Sequence, residues 1–218
     1  RYSALAALPA VSSWPPPRSS KSRPKAAPKK NLRAAQNLGA GVHVAWAGWS
    51  GALHVHTLPS TKRKFIVQAH LEAIVTLEFN GSSTNLVTGS DDGHAKIWDL
   101  EGALVQDIDT GRGPVLAVSF SPDGSQLATT GPSGVSIWDV GSGEELRFSE
   151  GPKGYSYALD WSPDGKRIVF GNRASKPWIW NLDEAKAREM NGPGRINGLV
   201  FHPTEDWIGM ACVDNTVR

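Results

Sequence analysis

The sequence predicts an all-β chain made of repeated four-stranded antiparallel sheets, and three observations predict it. Tryptophans at the end of alternating segments, Trp98, Trp138 and Trp180, recur at spacings of 40 and 42 residues. A second aromatic mark keeps the same period: Phe79, Phe120, Trp161 and Phe201 stand 41, 41 and 40 residues apart. Turn chemistry follows the mark directly, as Ser121-Pro122-Asp123-Gly124, Ser162-Pro163-Asp164-Gly165 and His202-Pro203-Thr204-Glu205. A period of about 40 residues holding four short strands is the unit of a β-propeller blade. The expectation is therefore four to five blades of a ring of about seven, within the range of 4–8 that such rings use.

From Val42 onward apolar and polar residues alternate in short runs broken by Gly, Asn, Asp or Pro, which is the pattern of half-buried strands. A degenerate first unit has strands near Val42–Ala47, Leu53–Thr57 and Lys64–Gln68. The second runs Ala73–Phe79, Asn85–Gly89, Ala95–Asp99 and Leu104–Asp109; the third Val115–Phe120, Gln126–Thr130, Val135–Asp139 and Glu144–Phe148. The fourth is Tyr155–Trp161, Arg167–Gly171, Pro177–Asn181 and Ala185–Met190, and a fifth begins with Ile196–Phe201 and Trp207–Cys212. Leu182–Met190 is helix-friendly by propensity, but the period demands an outer strand there, so tertiary context is expected to win.

The formal charge of +2 conceals an asymmetry. Residues 1–71 hold 11 Lys and Arg and no acid; the remainder holds 12 bases and all 21 acids. Residues 1–36 are Ala, Ser, Pro and basic residues, too poor in apolar surface to offset their ordering entropy, and are read as a disordered linker or tail ahead of a propeller at 37–218. An acid-poor, Ser- and Arg-rich segment also suits organelle import, and eight basic residues suit a phosphate-binding arm, although Tyr2 and Trp14 are thin as a stacking platform. The single Cys212 forms no internal disulfide, which fits a reducing compartment, cytoplasmic or nuclear. No run of about 18 apolar residues is present to span a membrane as a helix. The chain opens at Arg1 without Met and stops one step short of the next Trp-Asp position, and so reads as a piece of a longer protein.

The stretch Gly89–Leu100, GSDDGHAKIWDL, with its echoes VSIWDV at 135–140 and WIWNL at 178–182, resembles the WD-repeat β-propeller family over residues 40–218. In the unit at 70–100 the family's four polar positions are all filled: His70, Thr88, Asp92 and Trp98. The resemblance implies a hydrogen-bonded relay from Trp to Thr to His to Asp, a buried chain that stiffens a blade when every member is satisfied. The third unit keeps Thr129 and Trp138 but has Gly111 and Ser133 at the His and Asp positions. The fourth keeps only Trp180, beside Pro152, Phe170 and Ala174; the first has Trp46, Ser50 and His56 where Thr, Asp and Trp belong; the fifth retains Asp214 opposite Gly192.

Catalytic chemistry is not expected. His70, Asp92 and Thr88 could be drawn as an acid–base pair with a nucleophile, but no oxyanion donor accompanies them. His54 and His56 share one strand face with His43 nearby, yet no Cys or carboxylate lies between Val42 and Glu72 to complete a metal site, so neither metal nor cofactor is expected. The Gly-rich pieces at 111–114 and 151–154 do not lead into helices and read as turns. The family resemblance implies a non-catalytic protein-interaction scaffold. It permits as an alternative a regulatory propeller attached to a kinase or hydrolase, and the basic arm offers, as a weaker alternative, a nucleic-acid-associated propeller.

Strand order then sorts the loops. In an antiparallel a-b-c-d blade the a–b and c–d turns share one side and the b–c and d–a loops the other. The first side collects acids, among them Asp99, Asp123, Asp139, Glu145, Asp164, Asp183 and Asp206; the second carries Arg112, Lys153, Arg173 and Lys176. Those four are the expected site for an acidic or phosphorylated partner.

Overall fold

Alternating segments become strands throughout, and no helix occurs among the described residues. The computed structural model describes residues 32–37, 42–58, 63–192 and 195–218. The first sheet is β1 (Leu32–Asn37), β2 (Val42–Ala47), β3 (Ala52–Leu58) and β4 (Arg63–Gln68); the second is β5 (Ile74–Phe79), β6 (Asn85–Ser90), β7 (His94–Asp99) and β8 (Leu104–Asp109). The third is β9 (Ala117–Phe120), β10 (Gln126–Thr130), β11 (Gly134–Asp139) and β12 (Glu145–Glu150); the fourth is β13 (Ala158–Trp161), β14 (Arg167–Gly171), β15 (Trp178–Asn181) and β16 (Arg188–Glu189). A fifth begins as the pair β17 (Ile196–Phe201) and β18 (Ile208–Cys212). Every sheet is an antiparallel meander in chain order, and first strands pack against first strands, β1 on β5, β5 on β9, β9 on β13 and β13 on β17. These are β-propeller blades fanned about their inner strands.

Each sheet buries its faces only against the next, so the core is divided into layers. Leu53 and Val55 of the first blade meet Leu86 and Trp98 of the second, and Val87 and Ile97 of the second meet Leu127 and Trp138 of the third. Ala128 and Ile137 continue into Ile168 and Trp180, and Val169 and Ile179 into Phe201. The aromatic marks of the sequence are the inner edge of these layers: Phe79, Phe120, Trp161 and Phe201 are all buried. A register shift recurs between the third and fourth strands, at Val55/His56, Ile97/Trp98 and Ile137/Trp138, so the extra residue that bends the outer strand is itself part of the repeat.

Two expectations about element bounds are corrected. The blade region begins before residue 37, because Leu32–Asn37 pairs antiparallel with Val42–Ala47 from Leu32↔Ala47 to Asn37↔Val42 and supplies the inner strand missing from the first unit. LRAAQN shows no period-2 alternation, and pairing rather than hydropathy makes it a strand. Residues 1–31, most of the expected tail, lie outside the described residues. At Ala185–Met190 the outer strand shrinks to Arg188–Glu189, the remainder forming turns.

Candidate functional site

The second blade brings His70, Thr88, Asp92 and Trp98 together. Thr88 is carried by β6 and Trp98 by β7, on the same sheet face because Leu86 pairs with Trp98 and Thr88 lies two residues further along. His70 comes from the loop between β4 and β5. Its backbone is fixed from the first blade, where the Gly51 carbonyl accepts the Ala69 and His70 amides at 3.0 and 3.1 Å. Gly51 has a φ of +69°, and a Cβ there would lie 2.2 Å from the His70 carbonyl oxygen, so both the turn and the close approach require glycine. Asp92 sits in the turn before β7, closed by Gly93 with a φ of +89°.

Trp98 Nε1 donates to Thr88 Oγ1 at 3.0 Å, Thr88 Oγ1 lies 2.8 Å from His70 Nε2, and His70 Nδ1 lies 3.0 Å from Asp92 Oδ2. With Thr88 accepting from the indole, its own proton goes to Nε2, which places the imidazole proton on Nδ1 facing Asp92. Burial pushes His70 below its ordinary 6.5, outweighing the upward pull of Asp92, so the ring is neutral as this tautomer requires. Burial alone would push Asp92 up. The His94 amide, the His70 imidazole and the Leu71 amide together outweigh it and hold the carboxyl below the usual range. With Thr88 fully buried and every proton assigned, the arrangement ties two loops to two strands and leaves no group free for chemistry.

The other blades show what the indole needs. In the third, Trp138 Nε1 still donates to Thr129 Oγ1 at 2.9 Å. In the fourth, Phe170 replaces the threonine, and Trp180 Nε1 turns to the Glu184 carbonyl at 3.2 Å, under the Arg147 guanidinium. There the loop-to-loop tie passes to Asn172, 2% exposed, which donates to the Lys153 carbonyl and accepts from the Ala174 and Ser175 amides. In the first, Trp46 stacks on His54 and His56 with ring centroids 5.5 and 4.4 Å away, and His43 bonds Thr57 Oγ1; the three histidines form no metal cluster among the described residues.

Sequence reasoning missed two carboxylates. Glu78 on β5 accepts from the Phe120 amide of the next blade at 3.3 Å and from Ser119 Oγ; Asp160 on β13 accepts from the Phe201 amide at 2.7 Å. Between them, Trp161 Nε1 donates to the Ser119 carbonyl. Glu78 keeps part of its surface exposed, but its carboxylate is turned into the blade interface, and burial pushes it up to about 8; burial likewise pushes Asp160 up to about 6. The signal was present: each acid immediately precedes the aromatic mark, two repeats apart.

The two loop sides differ in what their charges do. Asp123 and Asp164 are consumed by their own turns, accepting from Ser121 and Ser162 Oγ and from the Ser125 and Lys166 amides, and these bonds, the serine hydroxyl first, hold both carboxyls low. Asp99 and Asp139 cap the next turns in the same manner. On the opposite side the four expected bases divide. Arg112 is 3.0 Å from Glu145 and lies 4.0 Å over the Phe148 ring, and Lys176 pairs with Glu189. Glu145 was assigned to the acidic side; the long Arg112 side chain lies along the outer strand and reaches it. Lys153 and Arg173 are exposed and form no ion pair among the described residues. Beside them are Tyr155 and Tyr157, each about half exposed with ring centroids 6.3 Å apart, and Arg195, whose amide donates to the Ser175 carbonyl of the Arg173 loop.

These blades match a known repeat: the model of the WD domain, G-beta repeat, matches residues 61–99 and 103–139, the second and third units. The chain carries repeats of the WD family. It is 25% identical over 169 residues to the WD repeat-containing protein 26 homolog of Arabidopsis thaliana, covering 74% of this chain and 28% of that protein. The WD repeat-containing protein WDS homolog of the same plant is 30% identical over 145 residues, 62% of this chain and 27% of the relative. Telomerase protein component 1 of Mus musculus is 26% identical over 136 residues, 62% of this chain and 5% of the relative. The chain thus spans between 5% and 28% of the length of these relatives. The two units matched by the WD-repeat model are the ones in which the Trp-to-Thr hydrogen bond is kept.

Proposed function

We propose that this WD-repeat chain is a non-catalytic interaction module whose binding face is the b–c and d–a loop side of the fourth and fifth blades. WD-repeat proteins bind other proteins as a class, and no helix among the described residues is long and apolar enough to cross a membrane. One observation carries the choice of face: Lys153 and Arg173, bases without an ion-pair partner among the described residues, stand beside the exposed Tyr155 and Tyr157 on loops locked by Asn172. Elsewhere the turn polar groups answer to their own turns. Preorganised cations next to aromatic faces suit an acidic or phosphorylated peptide, held by charge-assisted hydrogen bonds with the rings as platforms. Arg112 and Lys176 are engaged by Glu145 and Glu189 and contribute less.

The test is binding of a pool of acidic and phosphorylated peptides at two salt concentrations. Reversal of Lys153 and Arg173 to Glu is expected to abolish capture and flatten the salt dependence. Reversal of the exposed Glu144 and Asp183 to Lys on the other side leaves both unchanged. A larger loss from the second pair places the binding face on the wrong side.

A further inference from the structure

The third blade has Gly111 where the second has His70, and a Cβ at Gly111 would meet nothing within 4 Å. A small cavity lies beside it, with about 10 Å³ open to the centre of a water molecule, bordered by Thr110, Arg112, Thr129, Thr130 and Ser136 among others. That is room for about one water and for nothing larger. Three polar groups of its lining residues are incompletely bonded, and one of them, the buried Thr130 Oγ1, has no partner among the described residues. Thr129 Oγ1 accepts from Trp138 at 2.9 Å, as Thr88 does from Trp98, but its own proton has no acceptor among the described residues. Arg112 Nε, a donor only, is buried without a partner among the described residues, although Arg112 Nη2 bonds Glu145.

We infer that a buried water occupies this cavity and takes the place of the imidazole, accepting from Thr129 Oγ1 and Arg112 Nε, so that the relay of the third blade runs Trp138, Thr129, water, Arg112, Glu145. The chemistry matches at each end. A water accepts two hydrogen bonds where His70 Nε2 accepts one, and Arg112, with Glu145 as its counter-ion, closes a chain that has Ser133 at the Asp92 position. An anion fits less well, because Glu145 already neutralises the guanidinium. The assignment also makes Arg112 a member of the blade, with its fork over the Phe148 ring while part of the side chain stays exposed.

The deciding experiment is a crystal structure of the complete protein at a resolution that shows single waters, with a parallel bromide soak. One water within hydrogen-bonding distance of Thr129 Oγ1 and Arg112 Nε is expected. An empty cavity, or bromide in it, overturns the assignment. Urea unfolding of Thr129→Val, Arg112→Met and the double variant gives a second reading that does not need crystals. A shared water makes the shift in midpoint of the double smaller than the sum of the single shifts, and additive shifts refute it.

Discussion

Removal of the Asp92 carboxylate tests the relay where the structure makes it most exposed to failure. Asp92→Ala strips the acceptor from His70 Nδ1, 3.0 Å away, and from the Leu71 and His94 amides at 3.2 and 3.1 Å. The amides lie where water can reach them. The imidazole does not: its side chain is 0% exposed, and the Asp92 side chain that faces its Nδ1 proton is only 12% exposed. A stranded buried donor costs about 1–3 kcal/mol, and that is the expected loss. Ser133 occupies the same repeat position in the third blade, is exposed, and bonds nothing through its side chain among the described residues, so Ser133→Ala is expected within about 0.5 kcal/mol of wild type. The assay is urea unfolding of both variants at neutral pH and again down an acid series. Asp92 is held below its ordinary 3.8, so its contribution is complete above that pH and is lost as the pH falls through the lower folded value. His70 is depressed as well: below pH 6.5 the unfolded chain takes up a proton that the folded ring refuses, and stability falls. Asp92→Ala should therefore flatten the limb below pH 3.8 and leave a loss at neutral pH. Equal losses from Asp92→Ala and Ser133→Ala would refute the relay as a stabilising unit.

Two further substitutions address the blade interfaces. Glu78 carries a folded value of about 8 against an ordinary 4.5, so the folded state keeps its proton while the unfolded chain ionises, and stability declines between those limits by at most about 1.4 kcal/mol per pH unit. Glu78→Gln keeps the acceptor for the Phe120 amide and is expected to remove that decline in a pH series of unfolding midpoints; an unchanged slope would show that the carboxylate ionises in the interface. Ser156 is 1% exposed, and its hydroxyl has no hydrogen-bond partner among the described residues, at the position held by Val115 and Ile196 in the neighbouring repeats. Ser156→Val should raise stability by about 1 kcal/mol in thermal unfolding, and a loss would mean that the hydroxyl has a water partner.

The architecture was legible because the two aromatic periods depend on burial, and burial is what stacked sheets demand. Strand bounds came close for the same reason: in β10, Gln126–Thr130, and β14, Arg167–Gly171, the inward residues must be apolar or paired. What escaped was whatever depends on a partner rather than on a residue's own character. Leu32–Asn37 has no pattern that announces a strand, and only its pairing with β2 makes one. The outer strand of the fourth blade shortened because Arg147 donates to the Leu182 and Glu184 carbonyls and holds that segment as a turn. Loop side was readable from strand order, but not the reach of a side chain, and so Arg112 and Lys176 looked available when acids on the outer strands engage both.

The comparison of blades separates the requirement from the device that meets it. The three repeat tryptophans on third strands, Trp98, Trp138 and Trp180, find an acceptor in Thr88, Thr129 and the Glu184 carbonyl, whereas the neighbouring Trp178 indole has none among the described residues. The ties between loops are a second requirement, met by His70 with Asp92 in one blade and by Asn172 with the Lys153 carbonyl in another. Because the requirements are separable, a repeat can lose its histidine, its aspartate and even its threonine without losing the sheet. The freedom thus released falls on the b–c and d–a loops, where residues no longer fixed by the relay can change. In the fourth blade those residues include Lys153, Tyr155, Tyr157 and Arg173. The fourth blade, which keeps only the tryptophan of the relay, is the one on which the proposed binding face is built.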